Sequence, residues 1–145
     1  MGFLDKLVGK IDGFKAKILS SSDKDVLEAM CAAAALTAYA DGECSEDEVT
    51  VTLNILSTNP SLEVFGTEPV ELFNKYCDLI ESSKRTAKVQ LMKEITDMKG
   101  DKENAVLVLI MAIEVADSDD NIDEDEMKLL NQIAKELDLK VSDYI

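Results

Sequence analysis

The chain has 145 residues, a length at which one domain buries enough surface to fold without a metal ion or a disulfide. Its formal net charge of −15 argues against nucleic-acid binding, which needs a basic surface, and the absence of histidine excludes nucleophilic catalysis through a histidine relay. Hydrophobic residues make up 46% of the chain and aromatic residues only 5%, a composition typical of packed helices.

The first predicted element is an amphipathic, locally basic helix over residues 3–18, in which apolar residues recur at intervals of three and four. Such a helix either packs against the protein's own helices, which is the commoner case, or lies peripherally in a membrane interface with its lysines near the headgroups. Residues 1–145 are predicted to form a single domain, in which residues 1–19 are this amphipathic N-terminal helix.

Six further helices are predicted in chain order from periodicity and capping residues. The second follows the break at residues 20–23 and runs through an alanine-rich stretch to residue 40. The others cover residues 45–57, 67–82, 86–98, 101–117 and 124–137, and residues 141–145 pack back as a short cap. The helix over 101–117 is apolar on most sides and is predicted to be central. The fold class is therefore all-α, a single compact bundle of about seven helices.

An acidic element occurs twice, at residues 38–48 and 116–126, and the copies align without a gap, so that Asp41 matches Asp119 and Glu48 matches Glu126. The match continues into the apolar positions on both sides. Each copy joins two apolar helical stretches through a short loop rich in carboxylates. The sequence thus predicts an internal pseudo-two-fold repeat of one helix-loop-helix unit.

The two acidic junctions are candidate cation sites, because Ca²⁺ takes six to eight oxygen ligands and such loops supply carboxylates and carbonyls. The candidate metal ligands are Asp41, Glu48, Asp117, Asp119 and Glu126. Neither copy is an EF-hand: a motif starting at Asp117 would place an isoleucine at the invariant glycine and a lysine at the bidentate glutamate.

Helix capping offers a second explanation for part of this pattern. Ser45 with Glu48, and Asp123 with Glu126, have the spacing of capping boxes, and acidic residues in a first helical turn are favoured by the helix dipole. Capping does not explain acidic residues at the end of the preceding helix, where negative charge is unfavourable. No glycine-rich phosphate loop is present either, so we expect no enzyme, no catalytic residue and no organic cofactor.

The sequence resembles the TerB family of tellurite resistance proteins. The similarity is carried by residues 1–6, 38–42, 45–48, 69–75 and 116–126. The resemblance implies a bundle of about seven helices with a pseudo-two-fold relation, and an acidic face that binds divalent metal. The family's acidic positions correspond to Asp41, Glu48, Asp119 and Glu126. Asp120 departs from the family pattern, because it stands where the first copy has a glycine.

Two functional hypotheses follow. The first is a non-enzymatic stress-response (tellurite resistance) module that binds divalent cations, with Ca²⁺ as the expected ion, at the two junctions. The second is a metal-independent acidic adaptor that docks a basic protein partner at the membrane surface. The resemblance implies protein partners in a stress-response complex at the inner membrane, including a membrane-spanning one. The three cysteines lack metal-knuckle spacing, and neither a signal sequence nor a spanning segment is found, so a cytoplasmic location is expected.

Overall fold

The structure, a computed structural model, describes residues 18–118 and 120–145. Within these ranges it consists of six α-helices and two short 3-10 helices and contains no strand, which confirms the all-α prediction. The predicted helix over residues 3–18 lies outside the described residues except for its last position, and so does Asp119. The α-helices are α1 (Lys24–Ala38), α2 (Glu46–Thr58), α3 (Glu68–Ser82), α4 (Lys84–Thr96), α5 (Lys102–Ala116) and α6 (Glu124–Glu136).

Helices α1 and α5 form the centre of the bundle and share its most extensive contact. In α1 the run of alanines from Ala32 to Ala35 is fully buried, and in α5 every residue from Ala105 to Ile113 is buried. Small side chains on α1 let neighbouring helices come close, while the larger aliphatic residues of α5 fill the space between them. The helix over 101–117 is central as predicted, and it shares that position with α1.

A 3-10 helix, Pro60–Phe65, follows α2 and was not predicted. Sequence analysis predicted a helix over residues 45–57 and no further element before residue 67. In the structure the Asn59 Oδ1 atom accepts a hydrogen bond from the Ser61 backbone N–H at 2.8 Å and caps a new turn, in which proline takes an early position where no N–H is needed. This turn places Leu62 and Phe65 in the core.

The two acidic junctions have matching local backbone geometry. After α1, the Gly42 N–H donates to the Tyr39 carbonyl at 2.9 Å, and after α5 the Asp120 N–H donates to the Asp117 carbonyl at 3.0 Å. Gly42 and Asp120 both have positive φ, at +102° and +63°. The position therefore does require a left-handed backbone in both copies. The pseudo-two-fold relation between the complete units stays a prediction.

Candidate functional site

The first junction is organised by a capping box at the start of α2. The Ser45 Oγ atom accepts a hydrogen bond from the Glu48 N–H at 3.2 Å, and the Glu48 Oε1 atom accepts one from the Ser45 N–H at 3.1 Å. Asp41 is exposed, and its Oδ1 atom accepts a hydrogen bond from the Glu43 N–H at 3.2 Å. Two of the predicted ligands thus have their carboxylates oriented by backbone N–H groups.

The second junction repeats this arrangement at the start of α6. The Asp123 Oδ1 atom accepts from the Glu126 N–H at 2.8 Å, and the Glu126 Oε1 atom accepts from the Asp123 N–H at 3.0 Å. Asp117 caps the end of α5 and is partly buried. Both capping boxes are therefore present at the spacing that the sequence indicated.

A cavity of about 230 Å³ brings the two junctions together. Glu48 lines it from the first unit and Glu126 from the second, with Asp47 and Ser118 beside them. Its remaining lining residues are Ala38, Val51, Thr52 and Val115, so carboxylates face a partly apolar wall. The repeat thus converges on one shared space, although its copies are far apart in sequence.

The structure does not bring all five predicted ligands together. Asp41 lines a different cavity, of about 470 Å³, and Asp117 lines neither of the two. Among residues 18–118 and 120–145, no three carboxylate or cysteine side chains are grouped closely enough to hold one metal ion. The oxygen donors at the smaller cavity have the right chemistry for a hard cation, but Glu48 and Glu126 alone are an incomplete ligand set.

The charge of the first junction also acts on the thiol of Cys44. Partial burial raises the pKa of Cys44 to about 11, and the negative charges of Glu48 and Asp41 contribute to the rise. Cys44 packs against the core as a half-buried side chain. The raised pKa keeps Cys44 a neutral thiol at physiological pH. The pKa of Cys44 therefore reports on the electrostatic field of the two carboxylates.

One contact at the first junction was missed by the sequence interpretation. The Lys84 ammonium, at the start of α4, donates a hydrogen bond to the Gly42 carbonyl at 3.2 Å. The two residues are 42 positions apart, and no local pattern connects them. An ammonium group therefore lies against the carbonyl that follows Asp41.

Comparison with known proteins identifies one family. The family model described as tellurite resistance protein TerB matches residues 27–145, which is nearly the whole chain. No match was found among curated proteins or among solved structures. In the described part of the chain, no helix has both the length and the apolarity to cross a membrane. Because the match extends over more than half of the sequence and covers both acidic junctions, the chain belongs to the TerB family.

Proposed function

We propose that the protein is a non-enzymatic, cytoplasmic module of tellurite resistance and stress response that binds divalent cations, Ca²⁺ above others, at its acidic junctions. The observation that carries this proposal is the cavity lined by Glu48 and Glu126. Two carboxylates from separate helices that face one partly apolar space repel each other, and a divalent cation between them would convert that repulsion into attraction. Cation binding would then link the two helix-loop-helix units.

Asp41 and Asp117 do not line this cavity, and as predicted ligands they would act at the helix ends of their own junctions. Asp41 and Asp117 follow the carboxyl ends of α1 and α5, where the helix dipole favours a cation. Asp119 belongs to the proposed ligand set because it matches Asp41 in the repeat. Such a module would act within a complex of protein partners at the inner membrane, with residues 3–18 available for peripheral membrane contact.

The test is thermal unfolding of the chelator-treated protein with and without millimolar Ca²⁺, Mg²⁺ or Mn²⁺. A cation that binds only the folded state at a hundredfold excess over Kd adds about 2.7 kcal/mol. For a chain of this size, that gain corresponds to a Tm increase on the order of 5–10 °C. We expect a saturable and ion-selective increase, largest with Ca²⁺.

The decisive variant is Glu48→Gln/Glu126→Gln, because glutamine also forms capping boxes and so leaves the helix starts intact. We expect it to keep its stability in chelator and to lose the response to cations. The matched control is Glu71→Gln/Glu103→Gln, which removes two exposed charges from the first turns of α3 and α5. An Asp41→Asn/Asp119→Asn variant tests the remaining predicted ligands.

Equal, small responses to all three ions in every variant would refute the cation proposal. The acidic junctions would then be explained by the adaptor hypothesis, in which exposed carboxylates dock a basic partner. That interaction should weaken steeply with ionic strength, since the Debye length is about 8 Å at physiological salt.

A further inference from the structure

The larger of these two cavities, of about 470 Å³, is a groove lined by apolar and charged residues. Its floor includes Leu36, Ile80 and Leu129, which come from α1, α3 and α6. Three lysines line it as well, Lys84 and Lys88 from α4 and Lys128 from α6. A volume of this size is typical of small-molecule sites. The groove therefore combines an apolar surface with ammonium groups that converge from two helices.

Ion pairs with residues 18–118 and 120–145 do not account for these lysines. In the described part of the chain, neither Lys84 nor Lys88 lies within 4.0 Å of a carboxylate oxygen, and the Lys84 ammonium contacts only a carbonyl. Lys128 lies 3.6 Å from Glu124, but both side chains are more than 70% exposed, so this pair contributes little.

Helix stability does not account for them either. Lys84 is the first residue of α4, where the helix dipole disfavours positive charge, and Lys88 lies beyond the first turn, where the dipole has little effect. The first turn of α4 holds no acidic residue, whereas the first turns of α2 and α6 hold three each. The dipole of α4 therefore favours neither lysine, and an anion in the groove would give both ammonium groups a partner of opposite charge.

The rest of the groove limits the kind of anion. Asp41 and Asp125 also line it, and the whole chain carries a net charge of −15. Both would repel a nucleic acid or any other polyanion. A small ligand with one anionic group could place that group among the lysines and its carbon chain on Leu36, Ile80 and Leu129.

We propose that this groove binds a small soluble molecule with one carboxylate or phosphate group on an apolar body, held by Lys84, Lys88 and Lys128. The proposal does not depend on cation binding at the junctions. Its ligand chemistry is the opposite of a metal ion's, and its site shares only Asp41 with the predicted metal ligands.

The test is titration of the ¹⁵N-labelled full chain, in chelator, with hexanoate, hexyl phosphate, hexanol and inorganic phosphate, followed by amide chemical shifts. We expect saturable shifts around Tyr39, Gly42 and Leu129 with hexanoate or hexyl phosphate, and at least tenfold weaker binding of the other two probes. The variant Lys84→Gln/Lys88→Gln should bind at least tenfold more weakly, because it removes two of the three ammonium groups. A tenfold loss corresponds to about 1.4 kcal/mol.

Lys88→Gln alone guards against an effect on folding, because Lys88 donates no hydrogen bond to the described part of the chain, and this variant should bind severalfold more weakly with an unchanged Tm. The control Lys102→Gln/Lys140→Gln removes two exposed lysines that do not line the groove, and it should bind as the wild type does. The proposal would be overturned if hexanol bound equally well or if the control variant lost as much affinity. It would also be overturned if 10 mM hexyl phosphate, which marks about the weakest affinity of interest here, did not saturate the shifts. Binding to phosphatidylglycerol vesicles without binding of the soluble probes would overturn it too, because the groove would then serve a lipid surface.

Discussion

Gly42→Ala is expected to destabilise the protein, whereas Asp120→Gly at the matching position is expected to leave stability almost unchanged. Both positions have positive φ, but Gly42 at +102° lies beyond the left-handed well that side chains tolerate, while Asp120 at +63° lies within it. Asp is also among the residues that enter this well most readily. The same turn conformation is thus adopted by a glycine in one copy and by an aspartate, which tolerates it, in the other.

The magnitudes follow from backbone energetics. A left-handed conformation costs a residue with a side chain roughly 1–2 kcal/mol, and the lower entropy of the unfolded alanine chain returns about 0.4–1 kcal/mol. Because φ at Gly42 lies outside the favoured well, we expect a net loss of about 1–2 kcal/mol. A Cβ atom there would also lie 3.1 Å from the Lys84 ammonium, which can move only by weakening its hydrogen bond to the Gly42 carbonyl. For Asp120→Gly, the relief of backbone strain in the folded state and the greater conformational freedom of glycine in the unfolded state nearly cancel, to within about 0.5 kcal/mol.

The assay is urea unfolding at equilibrium with thermal unfolding beside it, where 1 kcal/mol corresponds to about 2–4 °C in Tm. The m-values should be unchanged, which shows that the unfolded state is comparable. A neutral Gly42→Ala, or an Asp120→Gly that loses as much stability as Gly42→Ala, would refute the reasoning. It would mean that the two loops do not share one turn geometry.

Three further predictions concern caps and titration. Asp123→Ala removes an N-cap hydrogen bond and should lower the free energy of unfolding by about 1 kcal/mol in urea titrations. Alkylation of Cys44, followed by mass spectrometry, should rise with pH towards its pKa of about 11, and Glu48→Gln should lower that pKa and speed the reaction at pH 8. Burial raises the pKa of Glu114 on α5, so the cost of burying its charged form is absent below the ordinary glutamate pKa and grows as pH rises. Glu114→Gln should therefore stabilise the protein at pH 8 and not at pH 4.

Local features were predictable because each rests on a few neighbouring residues. The two capping boxes needed only the spacing from Ser45 to Glu48 and from Asp123 to Glu126. Most helix limits were predicted within about two residues for the same reason. The start of α4 was placed at residue 86, but the helix begins at Lys84 without a side-chain cap, so no capping residue could mark it.

Contacts between residues far apart in the chain were not predictable from one sequence. Nothing local indicates that Glu48 and Glu126 line one cavity, or that Lys84 reaches the Gly42 carbonyl. The groove was missed because its lysines are few and lie on separate helices in a strongly acidic chain. Composition averages over the surface, whereas a site depends on which side chains the fold brings together.

The capping boxes connect fold and proposed function. Glu48 uses Oε1 for the Ser45 backbone N–H, but a carboxylate offers about four acceptor positions, so capping and cation coordination are compatible at this residue. The cap fixes the side chain before a cation arrives, which removes an ordering cost of about 0.5–1.5 kcal/mol. Ser45→Pro removes this backbone N–H donor at a φ of −71° that suits proline, so it should weaken Ca²⁺ binding by about threefold to tenfold in calorimetric titration, whereas Ser45→Ala keeps the donor and serves as the control. Equal affinity of the two folded variants would show that the cation does not use the capped Glu48.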